Sequence, residues 1–209
     1  MTAVNDLTRA YRAIRNSLGD YQLPPGRQIP VRVIADNLGM SITSVKEACG
    51  LLTDEGWAVP GTRAAFFAWR PEANAIAGLY DANRAILMSA LDHANADGAR
   101  AAILKIRRKL AGRELSNTTL AAYTGALFFA IVECDGEPAN VDLVRLANER
   151  LYYLRILECR YFVNTASELM VLCDLLLAGC RDDLRQAIAG YHERRRSRVP
   201  DLYGMLAAR

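Results

Sequence analysis

Residues 31–50, VRVIADNLGMSITSVKEACG, constrain the fold more than any other stretch of the chain. Ile34, Ala35 and Leu38 set apolar or small side chains on one face of a first helix. Gly39 stands where that helix must stop and can take the left-handed conformation that stopping requires. Met40 fills the corner, and Ser41 can cap a second helix by accepting from one of its free N–H groups. Val45, Ala48 and Leu52 continue the inner face at spacings of three and four. Ala35, four residues before Gly39, lets the two helices approach closely. Two helices joined this way form a helix-turn-helix, which presents its second helix to the major groove of DNA.

The flanking residues extend this reading. Residues 6–18 place Leu7, Tyr11, Ile14 and Leu18 on one helical face and Arg9, Arg12 and Arg15 on the other. Leu23-Pro24-Pro25-Gly26 is a connector that no helix crosses. After the second helix, Gly56-Trp57-Ala58-Val59 enters an extended segment. Pro60-Gly61-Thr62-Arg63 reads as a turn and Ala65-Phe66-Phe67-Ala68-Trp69 as the returning strand. A two-stranded ribbon in this position is a wing, and Pro71 closes a first domain at residues 1–71.

Charge does not announce a nucleic-acid surface. Residues 1–72 carry eight Lys/Arg and seven Asp/Glu, so phosphate contacts must come from local placement of charge. Five cysteines (Cys49, Cys134, Cys159, Cys173, Cys180) form no CxxC pair and lie in apolar helical surroundings, which predicts reduced thiols packed in a core. Cys173 and Cys180, seven apart, are expected on one helix face. No signal peptide opens the chain and no apolar run reaches the ~20 residues of a membrane span, so a cytoplasmic protein is expected.

Residues 72–209 form the second domain and read as helical throughout. Helices are expected over 73–96, 99–110, 118–133, 141–164, 167–177, 182–196 and 200–208, with a break at Asp97-Gly98, a loop over 112–117 and a turn at Asp135–Pro138. The fold class is therefore mainly α, a winged helix-turn-helix followed by an all-α bundle. With two histidines and no nucleophile–base grouping, the chain is not expected to be an enzyme. Polar residues interrupt the apolar faces at Asn83, Arg84, Tyr123, Thr124, Asn148, Tyr152, Arg155, Arg160, Asn164 and His192. Of these, Arg84, Tyr123, Arg155, Asn164 and His192 are the candidates for contact with a small molecule, because a buried arginine needs an acidic partner and an acidic ligand could supply it. His93 follows Asp92 and reads as a solvated helix terminus. The dense run Arg194-Arg195-Arg196-Ser197-Arg198 reads as a solvated helix end complementing its own dipole.

The first domain resembles the DNA-binding domain of the GntR family of bacterial transcription regulators. The matching residues are Leu23-Pro24-Pro25-Gly26, Ile29-Pro30, Arg32, Ile34-Ala35, Leu38-Gly39, Ser41, Thr43, Val45, Glu47-Ala48, Leu51-Leu52 and Glu55-Gly56. The resemblance implies a homodimer on a palindromic double-stranded operator, with Arg32, Ser41, Thr43, Ser44, Lys46 and the wing residue Arg63 as DNA contacts. The chain departs from the family at Ile42, Ser44 and Lys46, where arginine, proline and arginine are usual, and it lacks the wing glycine near Ala64-Ala65. Lys46 keeps the charge but not the fork that reads guanine. These departures motivate the alternative of an interaction module that no longer reads an operator.

The second domain resembles the effector-binding and dimerisation (FCD) domain of the FadR-like subgroup, through Leu79-Tyr80-Asp81, Asn83-Arg84 and residues 168–194. That resemblance implies a ligand-responsive repressor whose effector is an organic acid, while an apolar lining with few fixed polar groups would also suit a lipophilic effector. The subgroup's metal site, one Asp and three His, does not carry over. Leu120, Thr124 and Leu169 stand at three of its positions and only His192 at the fourth. No metal and no cofactor are expected.

Overall fold

The structure is a computed structural model describing residues 2–19, 22–93, 99–111 and 115–207. The chain divides into two compact units, Met1–Pro71 and Glu72–Arg209.

In the first unit, α1 (Thr2–Gly19) lies against α3 (Ile42–Asp54), with the short α2 (Val31–Leu38) beside them. Ala10, Ile14 and Leu18 from α1 meet Val45, Ala48, Cys49 and Leu52 from α3, all buried. Ala35 is buried at the junction of α2 and α3. Gly39 ends α2 at φ 63°, and its N–H and that of Met40 return to the carbonyls of Asp36 and Ala35. Ser41 caps α3 by accepting from the Ser44 N–H at 3.1 Å. The wing consists of β1 (Ala58–Pro60) and β2 (Phe66–Ala68), antiparallel with Val59 opposite Phe67. Residues 26–29 line the far edge of β2: Ile29 N–H donates to Phe66 O and Ala68 N–H to Arg27 O, both at 2.8 Å. The Arg15 guanidinium stacks 3.5 Å from the centre of the Trp57 ring, and the Tyr11 hydroxyl donates to the Glu55 carboxylate at 2.8 Å. Both contacts tie α1 to the segment that leads into the wing.

The second unit is helical: α4 (Ala73–His93), α5 (Arg100–Leu110), α6 (Asn117–Glu133), α7 (Pro138–Tyr161), α8 (Thr165–Ala178), α9 (Arg181–Arg196) and α10 (Val199–Ala207). α6 packs along α7, α5 against α8, and α4 against both α7 and α9. Leu87, Ile103, Leu127, Phe128, Ile131, Leu169, Leu172 and Ile188 form the shared core.

Several expectations shift. α7 begins three residues earlier than periodicity suggests because Pro138, with φ preset and no N–H to satisfy, opens the helix rather than closing the turn before it. The same helix ends at Tyr161, leaving Asn164 in the next junction. Cys173 and Cys180 do not share a helix face: Gly179, at φ 71°, ends α8 between them, and Cys180 is exposed ahead of α9. The expected break at Asp97-Gly98, the His93 side chain and residues 112–114 lie outside the described residues. Among the described residues, no single helix is long and apolar enough to cross a membrane.

Candidate nucleic-acid interface and a buried polar cluster

The solvent-facing edge of α3 follows from its register. With Val45, Ala48, Cys49 and Leu52 turned inward, Thr43 and Lys46 point outward near the N-terminus of α3, beside Ile42, which is 40 % exposed. Arg32, on the first turn of α2, is exposed on its own element. Ser41 and Ser44 are engaged with each other: their hydroxyls lie 2.9 Å apart, in addition to the capping bond. Their first role is to start the helix. The basic face of α1 is also partly committed, since Arg9 reaches the Leu38 carbonyl at 3.1 Å and Arg15 covers Trp57. Arg12 stays exposed.

At the wing tip the backbone turns through two left-handed residues, Arg63 at φ 55° and Ala64 at φ 56°. Neither is glycine, so each side chain crowds its own backbone at a cost of about 1–2 kcal/mol. The wing turn is therefore strained at both residues. At Gly61 a Cβ would sit 2.4 Å from the Phe67 ring, so a side chain there requires that ring to move. Arg63 projects from this strained turn with its side chain exposed.

In the second unit Arg194, Arg196 and Arg198 are exposed at the end of α9 as expected, but Arg195 departs from the reading of a solvated helix end. Arg195 is fully buried. It donates to Glu158 at 2.7 Å and to Glu168 at 2.6 Å, and lies 3.5 Å from the centre of the Tyr191 ring. Arg194 also pairs with Glu168, Arg196 with Asp81 and Arg198 with Asp201. Glu158 further accepts from the Tyr80 and Tyr191 hydroxyls, at 2.5 and 3.2 Å. Burial works against a charged Arg195, but Tyr191, Glu158 and Glu168 outweigh it and hold the guanidinium protonated. Burial likewise raises the Glu168 carboxyl, yet its bonds to Arg195 and Arg194 prevail and leave it below the usual carboxylate range. The network joins α4, α7, α8 and α9. Position 195 falls on the stripe of Leu184, Ile188 and Tyr191, which is the signal that places it inside.

Of the candidate pocket residues, two come together. His192 and Arg155 are each 2 % exposed and share Asn83, which is fully buried. His192 Nε2 lies 3.0 Å from Asn83 Oδ1, and Arg155 Nη2 lies 3.5 Å from the same oxygen. Arg155 Nη1 donates to Asn148 Oδ1 at 2.8 Å, and Asn148 donates in turn to the Gly125 carbonyl at 2.9 Å. Gly125 permits this approach, since a Cβ there would come within 3.3 Å of Arg155 Nη1. Asn83 and Asn148 therefore belong to the cluster more closely than three of the expected members do. Arg84 points outward, 3.9 Å from Glu193; Asn164 is exposed ahead of α8; Tyr123 is half-buried against the core. A groove of about 240 Å³ between α8 and α9, lined by Glu168, Val171, Tyr191 and Arg194 among others, contains none of the five.

The cluster's chemistry is that of a cation in a dry site. Arg155 makes no ion pair among the described residues; its guanidinium is met by the Asn148 amide oxygen at 2.8 Å and by the face of Phe128, 5.2 Å from the guanidinium carbon. Such a contact contributes about 2 kcal/mol at best, against several for stripping water from the ion. Burial pushes the His192 imidazole from its ordinary 6.5 down to about 4. The charges of Arg155, Arg195 and Arg84 act the same way, while the bond to the Ile188 carbonyl opposes them. His192 is thus neutral at pH 7. A divalent metal does not fit here: the single imidazole faces a guanidinium, and among the described residues no three His, Cys, Asp or Glu side chains converge.

Residues 7–67 match the family described as bacterial regulatory proteins, gntR family. The first unit carries a GntR-family helix-turn-helix domain. The whole chain is similar in fold to solved GntR structures. A structural-genomics GntR structure from Rhodococcus sp. RHA1 aligns with TM-score 0.78 at 18% identity, covering 93% of this chain and 97% of that one. E. coli McbR/YncC aligns with TM-score 0.67 at 15% identity, over 95% and 98%. A GntR family member from Pseudomonas syringae pv. tomato str. DC3000 aligns with TM-score 0.55 at 15% identity, over 100% and 90%. At these identities the likeness establishes the fold, a GntR-type winged helix-turn-helix followed by a helical unit. No curated protein matches the chain.

Proposed function

We propose that this chain is a DNA-binding transcription regulator of the cytoplasm, a homodimeric and ligand-responsive repressor whose second unit is an FCD-like dimerisation and effector domain. The observation that carries the reading is the exposed edge of α3. A capped helix N-terminus there holds Thr43 and Lys46 outward in a GntR-family domain whose wing ends on Arg63. Phosphate contacts from Arg32, Lys46 and Arg12 would position the domain, and side chains around Ser41, Thr43 and Ser44 would select the sequence. Exposed Leu143 and Leu146 on α7 and Val171 on α8 supply apolar surface that a second copy would cover. Two copies then address half-sites about 34 Å, or one helical turn, apart.

The test is binding to the DNA upstream of the chain's own gene, measured by fluorescence anisotropy across a salt series with a scrambled duplex as control. Selective binding whose log affinity falls linearly with log salt is expected, with Arg32→Ala reducing the salt slope by about one. Equal, weak binding to both duplexes would sink the repressor. It would favour an interaction module instead, a reading supported by Ile42, an exposed side chain unable to donate to base or phosphate.

A further inference from the structure

The apolar stripe of α3 runs one turn beyond the core it serves. Ile42, Val45, Cys49 and Leu52 follow spacings of three and four, and the last three of them are fully buried. Ile42 is nevertheless 40 % exposed, and it stands outside the cluster on which the nearby Met40 packs. Lys46, four residues on, shares its face of the helix, and Thr43 stands on the far side of Lys46; all three are exposed. Little on this surface can read a base edge by hydrogen bonds. The Ser41 hydroxyl accepts from the Ser44 N–H at 3.1 Å and lies 2.9 Å from the Ser44 hydroxyl, so both side chains are turned back on the helix start. Residues 42–49, ITSVKEAC, contain no arginine, asparagine or glutamine. The forked pairs that read guanine or adenine therefore cannot be made from the first two turns of α3. What those turns present is a branched aliphatic group, an ammonium, a threonine and, beyond Thr43, the Glu47 carboxylate. One group in the major groove matches the aliphatic side chain: the C5 methyl of thymine, which sets T·A apart from C·G.

We propose that Ile42 is a specificity-determining residue, which selects a thymine in the operator half-site by packing its side chain on the C5 methyl of that base. This inference rests on the regulator reading and names one base pair that its site recognises. Isoleucine suits the task. Branching at Cβ restricts χ1 in a helix, so the side chain is placed before DNA arrives and loses little freedom on contact. Packing on the methyl withdraws apolar surface from water on both partners, and the protein leaves that surface exposed until then. The contact carries no charge, so it adds selectivity and leaves the salt dependence to Lys46 and the other cations. An exposed isoleucine that cannot donate a hydrogen bond is therefore a reader of a different group, one that offers no hydrogen bond either.

The probe is the consensus duplex that the full wild-type chain selects from a random-sequence pool, remade with deoxyuridine in place of thymine at one position at a time. Deoxyuridine keeps every hydrogen-bonding group of thymine and lacks only the methyl. At one thymine of the half-site the exchange is expected to weaken wild-type binding about fourfold, with an unchanged salt slope. Ile42→Ala is expected to weaken binding to the thymine duplex by a similar factor and to bind the thymine and deoxyuridine duplexes equally at that position. Its Tm and salt slope are expected to stay those of the wild type, because the side chain lies outside the core and carries no charge. The proposal is overturned if the wild type is indifferent to every single thymine methyl, or if Ile42→Ala still tells thymine from deoxyuridine as the wild type does. Both of those outcomes presuppose a selected consensus and leave the regulator reading standing. A pool that converges on no sequence overturns the regulator reading itself, and the assignment of Ile42 falls with it.

Discussion

Protonation of His192 makes the helical unit sensitive to mild acid, and the size of the effect follows from its burial. The imidazole titrates near 4 in the folded chain against about 6.5 when unfolded. A histidine with a depressed pKa contributes stability that is fully present above the unfolded value. That stability drains as pH falls, because the unfolded state takes up a proton that the folded state refuses. The loss amounts to about 2 kcal/mol between pH 7 and pH 5, and about 3 kcal/mol by pH 4. Urea unfolding at half-unit pH steps measures it directly. The chain has two histidines, so His93→Gln serves as control and is expected to keep the slope, while His192→Gln loses it. Glu168 adds a second, lower window. Its carboxyl is held below the usual range, so its share of stability persists above pH 4.5 and drains only as pH falls further. Parallel curves for wild type and His192→Gln between pH 7 and 5 would refute the reasoning, since they would mean that the ring is hydrated or already protonated in the fold.

Two further substitutions test the parts of the structure that hold the candidate sites in place. Ala64→Gly should stabilise the first unit by about 1 kcal/mol, because glycine takes φ 56° without the Cβ conflict; thermal unfolding checks it, and no gain would mean that the wing turn is not left-handed. Glu158→Gln should destabilise by about 3–5 kcal/mol, as it leaves the buried Arg195 short of a carboxylate and sets an amide N–H against one of three donors; urea unfolding with an unchanged m-value is the measurement.

The first unit was legible in the sequence because each of its signals has one local cause. Gly39 was needed at positive φ, Ser41 was the side chain able to cap, and the spacing of Val45, Ala48 and Leu52 fixed the inner face of α3. The wing turn was legible in position but not in conformation. Sequence places a turn at Pro60–Arg63, yet nothing in Arg63-Ala64 advertises left-handed backbone, since the strain is imposed by strand pairing across Ala58–Ala68. Helix existence in the second unit was plain from apolar periodicity, whereas the start of α7 at Pro138 depended on whether a proline opens or blocks a helix. Local sequence leaves that choice open.

The buried charges show why polarity alone misleads. Arg194, Arg195, Arg196 and Arg198 are chemically one run, but a helix sends consecutive residues 100° apart, so only Arg195 shares the stripe of Leu184, Ile188 and Tyr191. Phase decides its burial; charge decides only that carboxylates must meet it there, and Glu158 and Glu168 do. The same phase argument applied to α7 puts Arg155 on the stripe of Val144, Leu151 and Leu154–Glu158, inside the bundle. There the second half of the rule fails, since among the described residues no carboxylate meets it. Two buried arginines in one core, one answered by two carboxylates and the other by amide oxygens, differ in what the fold requires of them. Arg195 is a strut between four helices, and Arg155 ties α7 to α4 through Asn83 while Asn148 fixes the other edge of its guanidinium.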